Sequence, residues 1–226
     1  MINEIILAVI IIIELIFLLS LNKSKKEWLY GFIIVNLLLI ATLGGKTVSF
    51  FGFTTNTGNI FYISVSLATY LAIEYFGAEN AYKSIWLGTL AVFFFLVMAE
   101  LVISMPGIAE TKTLDQAMIT VFNKSARLGL ASILGYLVAQ SFSIWFYQIL
   151  HSKLNLKNRA LFLVSANSSN ILAQAVDSLL FFSIAFVGIL PFSMLWQSIL
   201  VGYSIKVLVG LVMTSFLSWQ LPEKKQ

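Results

Sequence analysis

Residues 167–182 read "NSSNILAQAVDSLLFF". The amides of Asn167, Asn170 and Gln174 and the carboxylate of Asp177 stand inside an apolar run long enough to cross a bilayer. Polar groups there are costly and normally face the protein interior, a partner or a water-filled cavity. On an ideal helix, turning about 100° per residue, the four side chains fall within about 80° of one another. They form one polar stripe about 15 Å long on an otherwise apolar rod. Other helices must cover such a stripe, so the expected fold is all-α: a polytopic helical membrane protein.

Composition agrees. The 226 residues are 59% hydrophobic and 11% charged, with a mean hydropathy of +0.93, more apolar surface than one soluble core could bury. Windows of about 20 apolar residues give seven spans, near 3–21, 28–43, 59–76, 84–104, 127–150, 166–190 and 193–219. The first begins at Glu4, lacks a basic leader and has no small-residue cleavage site after it, so it reads as a retained helix and not a signal peptide. The second is short and can extend into the glycine-rich stretch after it. Residues 1–226 therefore form a single transmembrane domain, with the hydrophilic connection around Pro106 and Gly107 at the outer surface.

Several function classes are excluded. With no cysteine there is no disulfide framework, thiol nucleophile or Cys-ligated metal. His151 is the one histidine, expected in a solvated basic loop, so no His cluster can hold zinc, and no cofactor is expected. No G-x-x-x-x-G-K-[ST] loop occurs, so the chain cannot hydrolyse ATP by itself. An intramembrane enzyme would need a nucleophile with its base, or a metal with ligands, at membrane depth; neither is legible. The net charge of +4 needs no nucleic-acid partner, because basic loops beside anionic lipid suffice. Lys23, Lys25, Lys26, Lys83, Lys153, Lys157, Arg159, Lys224 and Lys225 fall on one side, against Lys46, Lys112, Lys124 and Arg127 on the other. By the positive-inside rule this puts the C-terminus in the cytoplasm and the N-terminus outside.

Other spans carry stripes too. In the third, Tyr62, Ser66 and Tyr70 are spaced by four, flanked by Thr69 and Glu74. In the fifth, Gly129, Ser132, Tyr136, Gln140, Ser143 and Tyr147 recur at steps of three or four. The seventh has Gly202, Lys206 and Gly210, where a neighbour can approach closely. Any one of these polar residues is accounted for by interhelical hydrogen bonding, at about 0.6–2 kcal/mol per contact. Together, amides, phenols, an acid and a lysine on inward faces suit a cavity for a flat heterocycle with many donors and acceptors. Asp177 and Lys206 can pair structurally and still line such a site. Glu14 and Glu100 are weaker candidates, each nearly alone on an apolar helix. Trp28, Trp86, Trp145 and Trp219 read as interface anchors.

The stretch "KTVSFFGFTTNTGNIFYISVSLATYLAIEYFGAENAYKSIWLG", then "NKSARLGLASILGYLVAQ", "NSSNILAQAVDSLLFFSIAF" and "GYSIKVLVG", resembles the bacterial queuosine precursor transporter family, also called the vitamin uptake transporter family. The resemblance implies six or seven helices in the inner membrane and an architecture like the substrate-binding subunits of energy-coupling-factor transporters. It also implies import of 7-deazaguanines: 7-cyano-7-deazaguanine, 7-aminomethyl-7-deazaguanine and, in some members, queuine. Lys46, Arg127, Gln140, Asp177 and Lys206 look like family residues, as do Gly77 and the region of Ser169. Tyr70 and Ser143 stand where the family pattern has Asp, and Gly202 where it has an acid. The expected substrate site comprises Asn167, Asn170, Gln174, Asp177, Lys206, Gln140, Tyr136, Tyr70, Tyr62 and Arg127, with Glu74 and Lys46 as coupling or structural charges. Energy is expected from the substrate gradient, from an ion gradient through Glu74 or Asp177, or from a separate ATPase module, whose partner would then be a vitamin-like or nucleobase-like binder. A homodimer is a further expectation.

Overall fold

The computed structural model describes residues 2–21, 25–50, 52–122, 126–156, 158–189 and 191–219. The basic residues Lys23, Lys124, Lys157, Lys224 and Lys225, used above for orientation, lie outside them. In order come α1 (Ile2–Leu21), α2 (Lys26–Leu43), a hairpin of β1 (Thr47–Phe50) and β2 (Phe53–Asn56), α3 (Gly58–Phe76), α4 (Ala78–Ile103), a 3-10 turn (Ala109–Thr111), α5 (Lys112–Phe122), α6 (Ala126–Lys153), α7 (Asn158–Phe186) and α8 (Phe192–Ser218).

Six of these helices, all but α3 and α5, are long and apolar enough to cross a membrane. Most of α3 is buried, including Ile60, Ile63, Leu67, Tyr70 and Leu71. It is the central helix, packed by α1, α2, α4, α6, α7 and α8. A helix surrounded by protein has no lipid to satisfy, so its sequence can be the most polar of the bundle. The peripheral helices show the converse. In α2 the buried positions are Leu29, Phe32, Ile33, Asn36 and Leu37, one helical stripe, while Trp28 and Val35 are exposed. In α4 they are Ala81, Ser84, Ile85, Gly88 and Thr89, and Trp86, Leu90, Phe93 and Phe94 face outward, as lipid contact requires. At Gly88 a Cβ would stand 2.6 Å from Leu37 Cδ1, so glycine there sets how closely α4 approaches α2.

Three features differ from the sequence reading. The glycine-rich stretch after α2 does not lengthen that helix; it folds as the antiparallel hairpin, with Thr47 opposite Asn56 and Phe50 opposite Phe53. Gly52, at φ 83°, takes a conformation that other residues resist. The hairpin is stitched to its neighbours, Thr57 Oγ1 donating to Leu43 O at 2.7 Å and Asn59 N to Asn56 Oδ1 at 3.2 Å. Second, α4 begins at Ala78, earlier than expected, because Gly77, also at φ 83°, ends α3 and starts α4 in one residue. Third, the hydrophilic connection after α4 holds a helix that the sequence reading did not name: α5 is short and amphipathic and lies on α4, with Phe122 against Phe95 at 6.2 Å.

Candidate functional site between α3, α6, α7 and α8

The polar stripes of α3 and α6 face each other. The two helices run parallel, and their hydrogen bonds pair residues at a nearly constant offset: Gln140 Nε2 donates to Ser66 Oγ at 2.8 Å, Tyr70 and Ser143 share a hydroxyl bond of 2.7 Å, and Tyr147 donates to Glu74 Oε1 at 2.7 Å. Amides and phenols bridge a gap that backbone packing leaves open. The α7 stripe closes on the same seam, Gln174 Nε2 donating to Ser66 Oγ at 3.3 Å and to Asn170 Oδ1 at 3.0 Å.

Asp177 completes the seam from α7 and Lys206 from α8. Lys206 Nζ donates to Asp177 Oδ2 at 2.7 Å, with the lysine and aspartate side chains only 5% and 11% exposed. The ammonium also lies 5.1 Å from the centre of the Tyr62 ring, so a carboxylate and a π-face share the desolvated charge. The other oxygen, Oδ1, faces α6 at Gly135, where a Cβ would stand 3.1 Å away. Sequence spacing did not single out Gly135; its signal is a small residue next to the Tyr136 stripe. Gly210 has a similar role, since a Cβ there would meet Asn170 Nδ2 at 2.4 Å.

Beside the ion pair, Tyr62 and Tyr136 meet edge to face, with ring centres 6.4 Å apart. The Tyr62 hydroxyl comes close to Asp177 and Gln140 yet forms no well-aligned hydrogen bond. The same holds for Tyr136 Oη, Gln140 Oε1 and Gln174 Oε1, all buried. Buried polar atoms are overwhelmingly bonded, so three without protein partners, beside a Tyr62 hydroxyl held only loosely, leave hydrogen-bonding capacity in this seam that a ligand or water can fill.

Not every expected residue joins the seam. Asn167 is partly buried and its Oδ1 has no partner, but it sits nearer the start of α7. The exposed Arg127 donates to the carbonyls of Ile184 and Val187, tying α6 to the end of α7 about 10 Å along the helix from Asp177. Lys46 is exposed at the hairpin base, where its carbonyl accepts from Thr57 N at 3.0 Å. Tyr70 is not free to stack on a ligand: its ring lies on Tyr147, centres 5.2 Å apart and 18° from parallel.

Past that stack lies a cavity of about 280 Å³ lined by Ile73, Glu74, Gly77, Ala78, Tyr147, Gln148, His151 and Ser152. His151 is not in a loop. It is in the last turn of α6, with Nε2 3.1 Å from Glu74 Oε1 and its ring on Tyr147. Thus Glu74 joins Tyr147 and His151 at the end of the seam and does not reach the Asp177 cluster.

Lipid-facing helices wrapped around a buried polar seam define a multi-pass membrane protein. The chain belongs to the family described as "Putative vitamin uptake transporter", which matches residues 56–220, and is accordingly a transporter and not an enzyme. Over 173 residues, 74% of this chain and 72% of that protein, it is 30% identical to the "Probable queuosine precursor transporter" of Bacillus subtilis (strain 168). No solved structure matches it significantly.

Proposed function

We propose that this protein imports 7-deazaguanine precursors of queuosine, 7-cyano-7-deazaguanine and 7-aminomethyl-7-deazaguanine, with queuine as a related substrate, across the bacterial inner membrane. The observation that carries this reading is the group of three unpartnered buried atoms, Tyr136 Oη, Gln140 Oε1 and Gln174 Oε1, with the loosely held Tyr62 hydroxyl, beside the Asp177–Lys206 pair. A 7-deazaguanine has a ring N–H and an exocyclic amine side by side, with a carbonyl next to them. Asp177 Oδ1 and the amide oxygens of Gln140 and Gln174 are acceptors for those donors, and the Tyr62 and Tyr136 hydroxyls can donate to the carbonyl. The relative from Bacillus subtilis supports the same substrate class.

In this reading the substrate sits among α3, α6, α7 and α8, and the Tyr70–Tyr147 stack separates it from the cavity at Glu74. Parting the stack opens one route of an alternating-access cycle.

Binding to purified protein tests the proposal. A ligand at 100 times its dissociation constant stabilises the folded state by about 2.7 kcal/mol, so thermal unfolding should shift upward with the 7-deazaguanines and less with guanine. The shift should vanish in Asp177→Ala. Absence of any shift, on folded protein, would sink the assignment. Uptake by the chain alone in proteoliposomes would show that no ATPase module is needed.

A further inference from the structure

The face of α3 opposite the seam carries a second polar group. Ser64 and Ser66 are about 200° apart around the helix, so while Ser66 serves the seam, Ser64 points towards α1 and α2. There the carboxyl of Glu14 meets the Ser64 hydroxyl and the Asn36 amide. All three residues are more than nine-tenths buried, and Glu14 Oε2, Asn36 Oδ1 and Ser64 Oγ each lack a well-formed hydrogen bond. Glu14 is about 18 Å along a helix of about 30 Å, near mid-membrane.

We propose that Glu14, Asn36 and Ser64 form a proton-binding site within the membrane, and that its occupancy is coupled to substrate movement through α3. The donor count favours a proton. Asn36 Nδ2 gives one of its two hydrogens to Phe32 O at 3.2 Å; even with its second hydrogen and the one hydroxyl hydrogen of Ser64 on the two carboxylate oxygens, Asn36 Oδ1 is left without a donor. A proton on Glu14 supplies the missing donor: the acid O–H bonds Asn36 Oδ1, and Ser64 bonds the other carboxyl oxygen. A hard divalent metal would need about six or more oxygens, more than three side chains offer. Nor, among the described residues, does a basic residue neutralise Glu14. Of the elements packed on α1, namely α2, α3, α8 and β1, the charged residues lie elsewhere: Lys26 and Glu27 in the first turn of α2, Glu74 near the end of α3, and Lys206 in its pair with Asp177. An unpaired carboxylate at this depth is disfavoured.

The placement supplies the coupling. α1 exposes Ile5, Ile12, Ile16 and Phe17, so it is a peripheral helix held by a narrow contact. Loss of the proton leaves a charge in that contact and favours its opening to water. Because α3 carries Ser64 on one side and Tyr62, Ser66 and Tyr70 on the other, both ligands bias one element, and each must then alter the affinity for the other.

Infrared spectroscopy of the purified protein in nanodiscs tests the site without any substrate. A protonated carboxyl band is expected at neutral pH, lost in Glu14→Gln and displaced in Ser64→Ala; identical wild-type and Glu14→Gln spectra would overturn the proposal. The coupling rests on the substrate reading above and is tested separately in proteoliposomes with 7-cyano-7-deazaguanine. An inward proton gradient should accelerate wild-type uptake, while Glu14→Gln should keep exchange and lose the acceleration. Wild-type uptake indifferent to the gradient overturns the coupling. If the wild type neither takes up nor exchanges the compound, the substrate reading fails, and the infrared band still decides the proton site.

Discussion

At the scale of single residues, the two oxygens of Asp177 have different surroundings. Oδ2 holds Lys206, and Oδ1 faces the space that Gly135 leaves. Removing one member of a buried pair strands the other charge and typically costs about 3–5 kcal/mol. Asp177→Asn and Lys206→Met should therefore each lower the unfolding midpoint, and the double variant should fall by less than the sum, as a double-mutant cycle in detergent would measure. Gly135→Ala separates site from scaffold. Its methyl would crowd Oδ1, so affinity for a 7-deazaguanine should drop with little change in stability, whereas Gly129→Ala, whose Cβ meets only Leu96 at 3.9 Å, should bind normally. Equal affinities in titration calorimetry would remove Oδ1 from the site. Asp177 and Lys206 were legible as candidates because a charge inside an apolar run is conspicuous. Gly135 was not, because a glycine's contribution is the space it leaves, which depends on a neighbour 42 positions further along the chain.

At the scale of elements, the α3–α6 seam depends on two helices in parallel register. Each stripe could be read from its own spacing of three or four residues, but the pairing of Ser66 with Gln140, Tyr70 with Ser143 and Glu74 with Tyr147 could not, since local periodicity says which face is polar and nothing about what it meets. The end of α6 shows the same limit. His151 stands among basic residues, as loop histidines do, yet α6 continues to Lys153 and delivers it to Glu74. Tyr147→Phe keeps the ring on Tyr70 and deletes the bond to Glu74, which should loosen the closure between seam and cavity. Since the chain has no cysteine, a single Gln140→Cys, buried on the seam side of the stack, can report this: a membrane-impermeant thiol reagent should label it several-fold faster in the Tyr147→Phe background. An unchanged rate would deny the tyrosine a role in closure.

At the scale of the whole molecule, the apolar surface lies outside and the polar seam within, the reverse of a water-soluble fold. Trp28, Trp86, Trp145, Trp196 and Trp219 are all exposed. In bilayers of brominated lipid their emission should be strongly quenched, and aqueous iodide should quench it weakly; the opposite pattern would contradict the membrane-facing assignment. Composition and periodicity by themselves determined the membrane class, the helical bundle and the polar faces of α3, α6, α7 and α8, because the bilayer imposes span length and polarity on each helix separately. Only the tertiary structure decided that α3 is the central helix, that the glycine-rich stretch forms a hairpin, that Arg127 and Lys46 stand apart from the Asp177 cluster, and that Glu14 meets Asn36 and Ser64. Those outcomes depend on which helices become neighbours, and packing sets that through contacts between residues far apart in the chain.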